Sequence, residues 1–223
     1  MMGLMTRKNQ AGVTLLEVVV AIFVITVGLI SALALIISSI TGARTSKYQL
    51  AAGNLARQAI EVVRVQRDSN WLEIESGSLD PGLWDQNLSG NGMIYTGIIN
   101  FQDDPALADY MKWTIFYDST YNFTDNPVQL KTYFVDHGSW RVYNQYTQAN
   151  PPGLTESGFR LAMSTKPICI LNGVESMVEN GFSCETTVPA KTKIGIQIKA
   201  TVKWIESGIE RSYEQEEKIY NWK

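Results

Sequence analysis

The sequence predicts an α+β chain: one long N-terminal α-helix, half membrane-spanning and half amphipathic, packed on an antiparallel β-sheet head. Three observations predict it. Residues 13–37 form an apolar run with Glu17 as its only charge, residues 38–72 contain no proline and carry an apolar stripe, and the last thirty residues alternate apolar with polar. The chain has 223 residues, enough for one or two domains, and 19 Lys+Arg against 22 Asp+Glu give a net charge of −3. That balance argues against a nucleic-acid partner, since such domains are strongly basic. Two cysteines and one histidine cannot supply the four ligands of a Cys/His zinc site, and neither metal nor cofactor is expected.

The first element is the apolar run Val13–Ile37. Its 25 residues would form a helix about 37 Å long, against a bilayer core of ~30 Å. Arg7 and Lys8 precede it, and no acidic residue lies before Glu17. The positive-inside rule then keeps the N-terminus in the cytoplasm and exports the chain beyond Ile37, making a single-pass protein of the cytoplasmic (inner) membrane. A cleaved secretory signal is an alternative, since Ala32 and Ala34 in "SALAL" form a small-x-small site and cleavage would come after Ala34. The run is long for such a signal, whose apolar core has roughly 7–15 residues. Neither an export signal nor a plain anchor accounts for Glu17.

The second element continues the helix. Tyr48, Ala52, Leu55, Ala59 and Val62 recur at spacings of four and three, which makes one apolar stripe, while Arg44, Lys47, Arg57, Arg64 and Arg67 mostly lie off it. One helix is therefore expected from about Val13 to about Arg67, and the stripe should pack on a sheet. The domain boundaries are then 1–12 for a basic leader, 13–37 for the membrane half, 38–68 for the exported helical half and 69–223 for a β-rich extracytoplasmic head. The Gly/Ser/Asn/Asp/Pro-rich stretch 73–92 reads as an irregular connector.

Strand patterns come next at 93–101, 111–118, 128–136, 139–146 and 158–164, with a tight turn expected at His137-Gly138. The segment 166–191 reads as a polar bend carrying Cys169 and Cys184. Export would put these cysteines where a disulfide persists, and closing their loop would contribute about 3 kcal/mol. The end of the chain is a hairpin. Ile194, Ile196, Ile198, Ala200, Val202 and Trp204 share one face, Ser207-Gly208 turns, and 209–219 returns.

No catalytic constellation emerges. His137, beside Asp136, reads as a turn residue, and no G-x-S-x-G pattern supports a hydrolase. Asp103, Asp104, Asp118 and Asp125 lack the spacing of an EF-hand loop and read as turn carboxylates. Asn87-Leu-Ser89 and Asn122-Phe-Thr124 match the common glycosylation triplet. The aromatics of 71–150 fit either a core or an adhesive surface.

The segment "RKNQAGVTLLEVVVAIFVITVGLISALAL" closely resembles the class III signal of type IV prepilins and type II secretion pseudopilins. In that pattern a short basic leader ends in glycine, and a glutamate is fifth in the mature chain. Gly12, Val13 and Glu17 hold those places, with Arg7 and Lys8 as leader charges. Two further stretches, "LARQAIEVVRVQRDSNWL" and "ATVKWIESGIERSYEQEEKIYNWK", resemble the minor pilins called type IV pilus modification proteins and the I-type pseudopilins. The sequence departs from the family at Val13, where phenylalanine is commonest, and at Ala34, where many major pilins carry proline; the second departure favours a minor subunit.

The resemblance implies a pilin-like fold and a non-enzymatic structural subunit of a pilus (fimbrium) or pseudopilus. It implies a prepilin peptidase that cuts Gly12–Val13 and methylates the new amine. Other implied partners are pilins or pseudopilins contacted through the N-terminal helix, and an inner-membrane assembly platform. A carboxylate in lipid costs a few kcal/mol on insertion scales, and pairing Glu17 with a neighbour's Val13 amine would relieve that cost. Glu17 also lies four residues from its own Val13 and could pair there. An adhesive or DNA-uptake head on the same anchor is the competing reading.

Overall fold

The computed structural model describes residues 12, 14–88, 96–102, 113–118, 121, 123–124, 129–137, 140–146, 153–178, 184–185 and 189–221. The chain divides into two compact units, one ending at Lys47 and the other spanning Tyr48–Lys223. One helix, α1 (Leu15–Glu75, 61 residues), contributes to both. From Leu15 to Arg44 every side chain is exposed. This stretch is long and apolar enough to cross a membrane.

α1 ends eight residues beyond the predicted Arg67. Nothing in 68–75 breaks a helix, and the stop comes at Gly77, which takes φ 78°. There the Gly77 amide donates to the Ile74 carbonyl (3.1 Å) and the Ser78 amide to that of Glu73 (2.9 Å). This pair of bonds is a Schellman motif, and a glycine enters its left-handed position without a Cβ penalty. The two extra turns bury Asn70 and Trp71. Asn70 Nδ2 donates to the carbonyls of Trp84 (3.0 Å) and Gln86 (2.9 Å), so the connector after the helix is pinned to it. That connector contains a 3₁₀ turn (Pro81–Leu83) started by Asp80, whose Oδ1 accepts the Gly82 amide.

In the second unit α1 lies on an antiparallel sheet that has eight strands among the described residues: β1 (Thr96–Phe101), β2 (Trp113–Asp118), β3 (Lys131–His137), β4 (Trp140–Asn144), β5 (Thr155–Leu171), β6 (Val174–Met177), β7 (Thr192–Glu206) and β8 (Ile209–Tyr220). β5 is the hub. Along one edge it pairs with β7, which pairs with β8; along the other it meets β3, β1 and β6 in succession. β1 and β3 carry β2 and β4 outward. The core lies between helix and sheet. Ala52, Leu55, Ala56, Ala59, Ile60, Val62 and Val63 of α1 meet Leu161, Met163, Ile196, Ile198, Ala200, Val202 and Trp204. Each fully buried Leu, Ile or Val contributes about 1.5–3 kcal/mol.

The apolar stripe and the β7 face lie where the alternation predicts, although Tyr48 stays 38 % exposed and Ala56, Ile60 and Val63 widen the stripe. At the β7–β8 turn Ser207 and Gly208 both have positive φ, the two-residue turn that suits strand twist. Gly195 is needed in β7, because a Cβ there would sit 2.7 Å from the Ile219 carbonyl oxygen.

Two predictions are corrected. The segment read as a polar bend continues β5 through Cys169 to Leu171, turns at Asn172-Gly173 (both positive φ) and returns as β6. Pro167 does not interrupt β5: its carbonyl accepts the Val178 amide, so its missing N–H faces that side and removes no bond to β7. The other correction concerns His137, which is the last residue of β3 and pairs with Trp140. The connection therefore falls at 138–139, one residue later than predicted.

Candidate functional site

The N-terminal end of α1 carries the candidate processing and assembly residues. Thr14 occupies the N-cap, and its Oγ1 accepts the Glu17 amide at 3.3 Å. The sequence Thr14-Leu-Leu-Glu17 thus has the form of a capping box, with Glu17 at the third helical position. The carboxylate there also faces the positive end of the helix dipole, worth typically 0.3–1 kcal/mol at exposed sites. This local role was missed in the family pattern, although threonine three residues before glutamate signals it.

Glu17 is exposed in the single chain. Gly12 is exposed too, and among the described residues nothing lies within 4 Å of a Cβ built on it. The chain's own packing therefore gives no reason for glycine at position 12. Arg7, Lys8 and Val13 lie outside the described residues.

The apolar stretch satisfies its own polar groups. The hydroxyls of Thr26, Ser31 and Thr41 donate to the carbonyls of Ile22, Val27 (2.9 Å) and Ile37 (2.9 Å), each four residues back. A helix with its backbone and hydroxyls bonded internally meets the requirement that lipid imposes. Glu17 is the one charge in the apolar run from 14 to 37, and its own chain supplies it no cationic side chain there.

In the second unit, Arg64 of α1 binds Glu217 of β8 through Nε (3.0 Å) and a terminal nitrogen, and Glu61 at 2.8 Å. The hydrogen bond to Glu217 raises the guanidinium pKa. Across the outer face, Glu210 of β8 accepts from Lys203 (2.8 Å) and Arg160 (2.5 Å), and these bonds lower its carboxyl pKa. Cys169 of β5 and Cys184 form a disulfide with Cα atoms 5.6 Å apart. Both sulfur residues are buried with Val178.

The other candidates are scattered. Asp118 ends β2, where its carbonyl accepts the Tyr121 amide; Tyr121's phenol pKa is raised by burial and by the Asp118 charge. Asp103, Asp104, Asp125, Asn122, Ser89 and the His137 side chain lie outside the described residues. Asn87 is exposed with φ 64°. Of the described aromatics between 71 and 150, Trp71, Trp84, Trp113, Phe116, Tyr117, Tyr121, Phe123 and Tyr143 pack in or against the core clusters, and Phe101, Phe134 and Tyr146 are half-buried.

Sequence reasoning missed the polar junction at Asn144-Gln145. Here the sheet branches, with β1 and β3 diverging along β5. Gln145 is 1 % exposed and fills the split. Its Oε1 accepts the Ile99 amide (3.0 Å), and its Nε2 donates to the carbonyls of Leu130 (3.0 Å) and Leu161 (2.7 Å). Its own amide donates to the Ile99 carbonyl (3.1 Å). Asn144 bonds both backbone groups of Phe101. Two amide side chains thus stand in for a missing piece of strand.

Residues 7–33 match the prokaryotic N-terminal methylation motif. No curated protein and no solved structure matches the chain. The motif covers the segment before α1 and the apolar part of α1. It implies processing by prepilin peptidase and assembly with other pilins, and it fits membrane anchoring through the exposed apolar helix. It supports the type IV pilin and pseudopilin class and points to a structural subunit rather than an enzyme.

Proposed function

We propose that the chain is a minor type IV pilin or pseudopilin. Prepilin peptidase cuts it between Gly12 and Val13, and it assembles through its N-terminal helix into a pilus or pseudopilus. The observation that carries this reading is the register of the N-terminus. A basic pair and a glycine with no packing reason to be glycine come in order before an unbroken, exposed apolar helix that carries one acid in its first turn. Before assembly, residues 13–37 hold the subunit in the cytoplasmic membrane with the N-terminus inside, while 38–68 and the head 69–223 stand outside. Ala34, in place of the proline of many major pilins, favours a minor subunit.

The chemistry is set by charge. The new amine of Val13 is a cation, and Glu17 is an acid that lipid disfavours. When one subunit's helix enters a bundle of helices, apolar surface passes from lipid to protein with little change in burial. The carboxylate gains more, because a neighbour's amine neutralises it. Such a buried ionic pair specifies register more than it adds stability.

The test is Glu17→Val in the full chain. Membrane insertion and cleavage should proceed, while the amount recovered in sheared fibres falls by an order of magnitude or more. Fibre incorporation equal to wild type would reject the pairing role.

A further inference from the structure

We propose that Arg44 and Lys47 bind the phosphates of anionic phospholipids at the outer face of the bilayer, and so hold the helix at a fixed depth until the subunit is drawn into a fibre. The inference rests on the membrane anchoring proposed above and names the lipid class that the anchored helix selects.

Both cations lie on α1 inside the first compact unit, which ends at Lys47. They are three residues apart, so on a helix they share a face. Both are exposed, and among the described residues neither has a hydrogen bond or an ion pair. Residues 18–60 contain no Asp or Glu. The next acid along α1 is Glu61, about 21 Å beyond Lys47 at the α-helical rise, farther than a Debye length of ~8 Å at physiological salt. The helix itself therefore gives these two charges no counterion.

Their depth selects the partner. Ile40 is the last large apolar residue of the exposed run before them. Arg44 and Lys47 follow it by about 6 Å and about 10 Å along the helix axis. The polar layer on each side of a bilayer is about 5–8 Å thick, from ~30 Å of hydrocarbon within ~40–45 Å overall. Side chains on a helix lean toward its N-terminus, which for this helix is toward the membrane. Long cationic side chains reach back the same way along their apolar stems. Both charges therefore come to rest at headgroup level. The residues around them, Gly42, Ala43, Thr45 and Ser46, are small. Among the described residues nothing lies within 4 Å of a Cβ built on Gly42, and the Thr41 hydroxyl is taken by the Ile37 carbonyl (2.9 Å). This open flank leaves room for a phosphate, and two adjacent cations favour an anionic headgroup over a zwitterionic one.

The experiment uses the full chain with its disulfide intact. Since Cys169 and Cys184 are joined, a fluorophore goes only to an introduced thiol. Ser39→Cys, just inside the two cations, and Val24→Cys, well within the span, are labelled with a small dye in nanodiscs of phosphatidylcholine with a minor share of phosphatidylglycerol. The quencher is a doxyl group at one acyl-chain depth, carried on either lipid at equal mole fraction. At 39 quenching should be stronger from phosphatidylglycerol, reporting a local enrichment of about fivefold or more, the effect of one cation near an anionic surface. Adding Arg44→Gln and Lys47→Gln to Ser39→Cys should remove that preference. Equal quenching at 39 by the two carriers without those changes overturns the lipid selection and leaves the anchor standing. A preference that survives Arg44→Gln and Lys47→Gln overturns its assignment to these residues. Quenching at 24 with none at 39 overturns the depth assigned to the cations. No quenching at either position overturns the anchor and this inference with it.

Discussion

Gln145→Leu isolates the junction where the sheet branches. Leucine has nearly the volume of glutamine, so the substitution removes hydrogen-bonding capacity with little cavity. Three bonds disappear: Oε1 from the Ile99 amide, and Nε2 to the Leu130 and Leu161 carbonyls. Leu130 keeps the Leu161 amide on its carbonyl, so the Ile99 amide and the Leu161 carbonyl bear the loss. A buried polar group left unpaired costs about 1–3 kcal/mol, which sums to roughly 2–6 kcal/mol for the two. We expect a loss of about 3 kcal/mol after local relaxation. The assay is urea unfolding of the full chain in detergent, tracked by the fluorescence of the buried Trp71, Trp84 and Trp204. At an m-value of ~2 kcal/mol/M the midpoint should fall by about 1.5 M with m unchanged. Gln197→Leu, on the half-buried outer face of β7, should change stability by less than about 0.5 kcal/mol as a surface substitution. If Gln145→Leu lost less than ~1 kcal/mol, the reasoning that two backbone groups depend on this side chain would be wrong.

Two other predictions concern the second unit. Replacing both Cys169 and Cys184 by serine should cost about 3 kcal/mol in urea unfolding, and wild type in reductant should match the variant; an unchanged midpoint would reject a stabilising role. Glu210 bonds Lys203 and Arg160, so its folded pKa lies below its unfolded one. Its contribution is therefore complete above the ordinary glutamate range and is lost as pH falls through the lower folded value. Because this pair is half-exposed, Glu210→Gln should cost only ~0.5–1 kcal/mol at neutral pH. The difference from wild type should shrink as unfolding is measured at successively lower pH. A difference that stays constant into strong acid would contradict the ion-pair account.

The sequence shows the fold where one periodicity dominates. β7 alternates over eleven residues, so its buried face from Ile196 to Trp204 and its Ser207-Gly208 turn can be read directly. The helical stripe is legible for the same reason. β6 was hidden because the whole segment 166–191 read as one polar bend. Yet Asn172-Gly173 was the stronger local signal, and Pro167 harms nothing when its missing N–H faces away from β7. The helix end was placed at Arg67 by the loss of the stripe, while the physical stop was Gly77. Gln145 was illegible for a different reason: a glutamine that replaces strand backbone has no periodicity, and its partners at 99, 130 and 161 are far apart in sequence. At the N-terminus, Gly12 and Glu17 were legible as a motif. The cap from Thr14 to the Glu17 amide was overshadowed by it, although both readings share Glu17.

The most direct measurement is the mass and sequence of the mature N-terminus, from protein isolated out of the cell membrane. The predicted result is a chain beginning at N-methylated Val13, and a Gly12→Leu variant retained as full-length precursor. A chain beginning at Leu35, an intact leader on the wild type, or normal processing of Gly12→Leu would contradict the assignment.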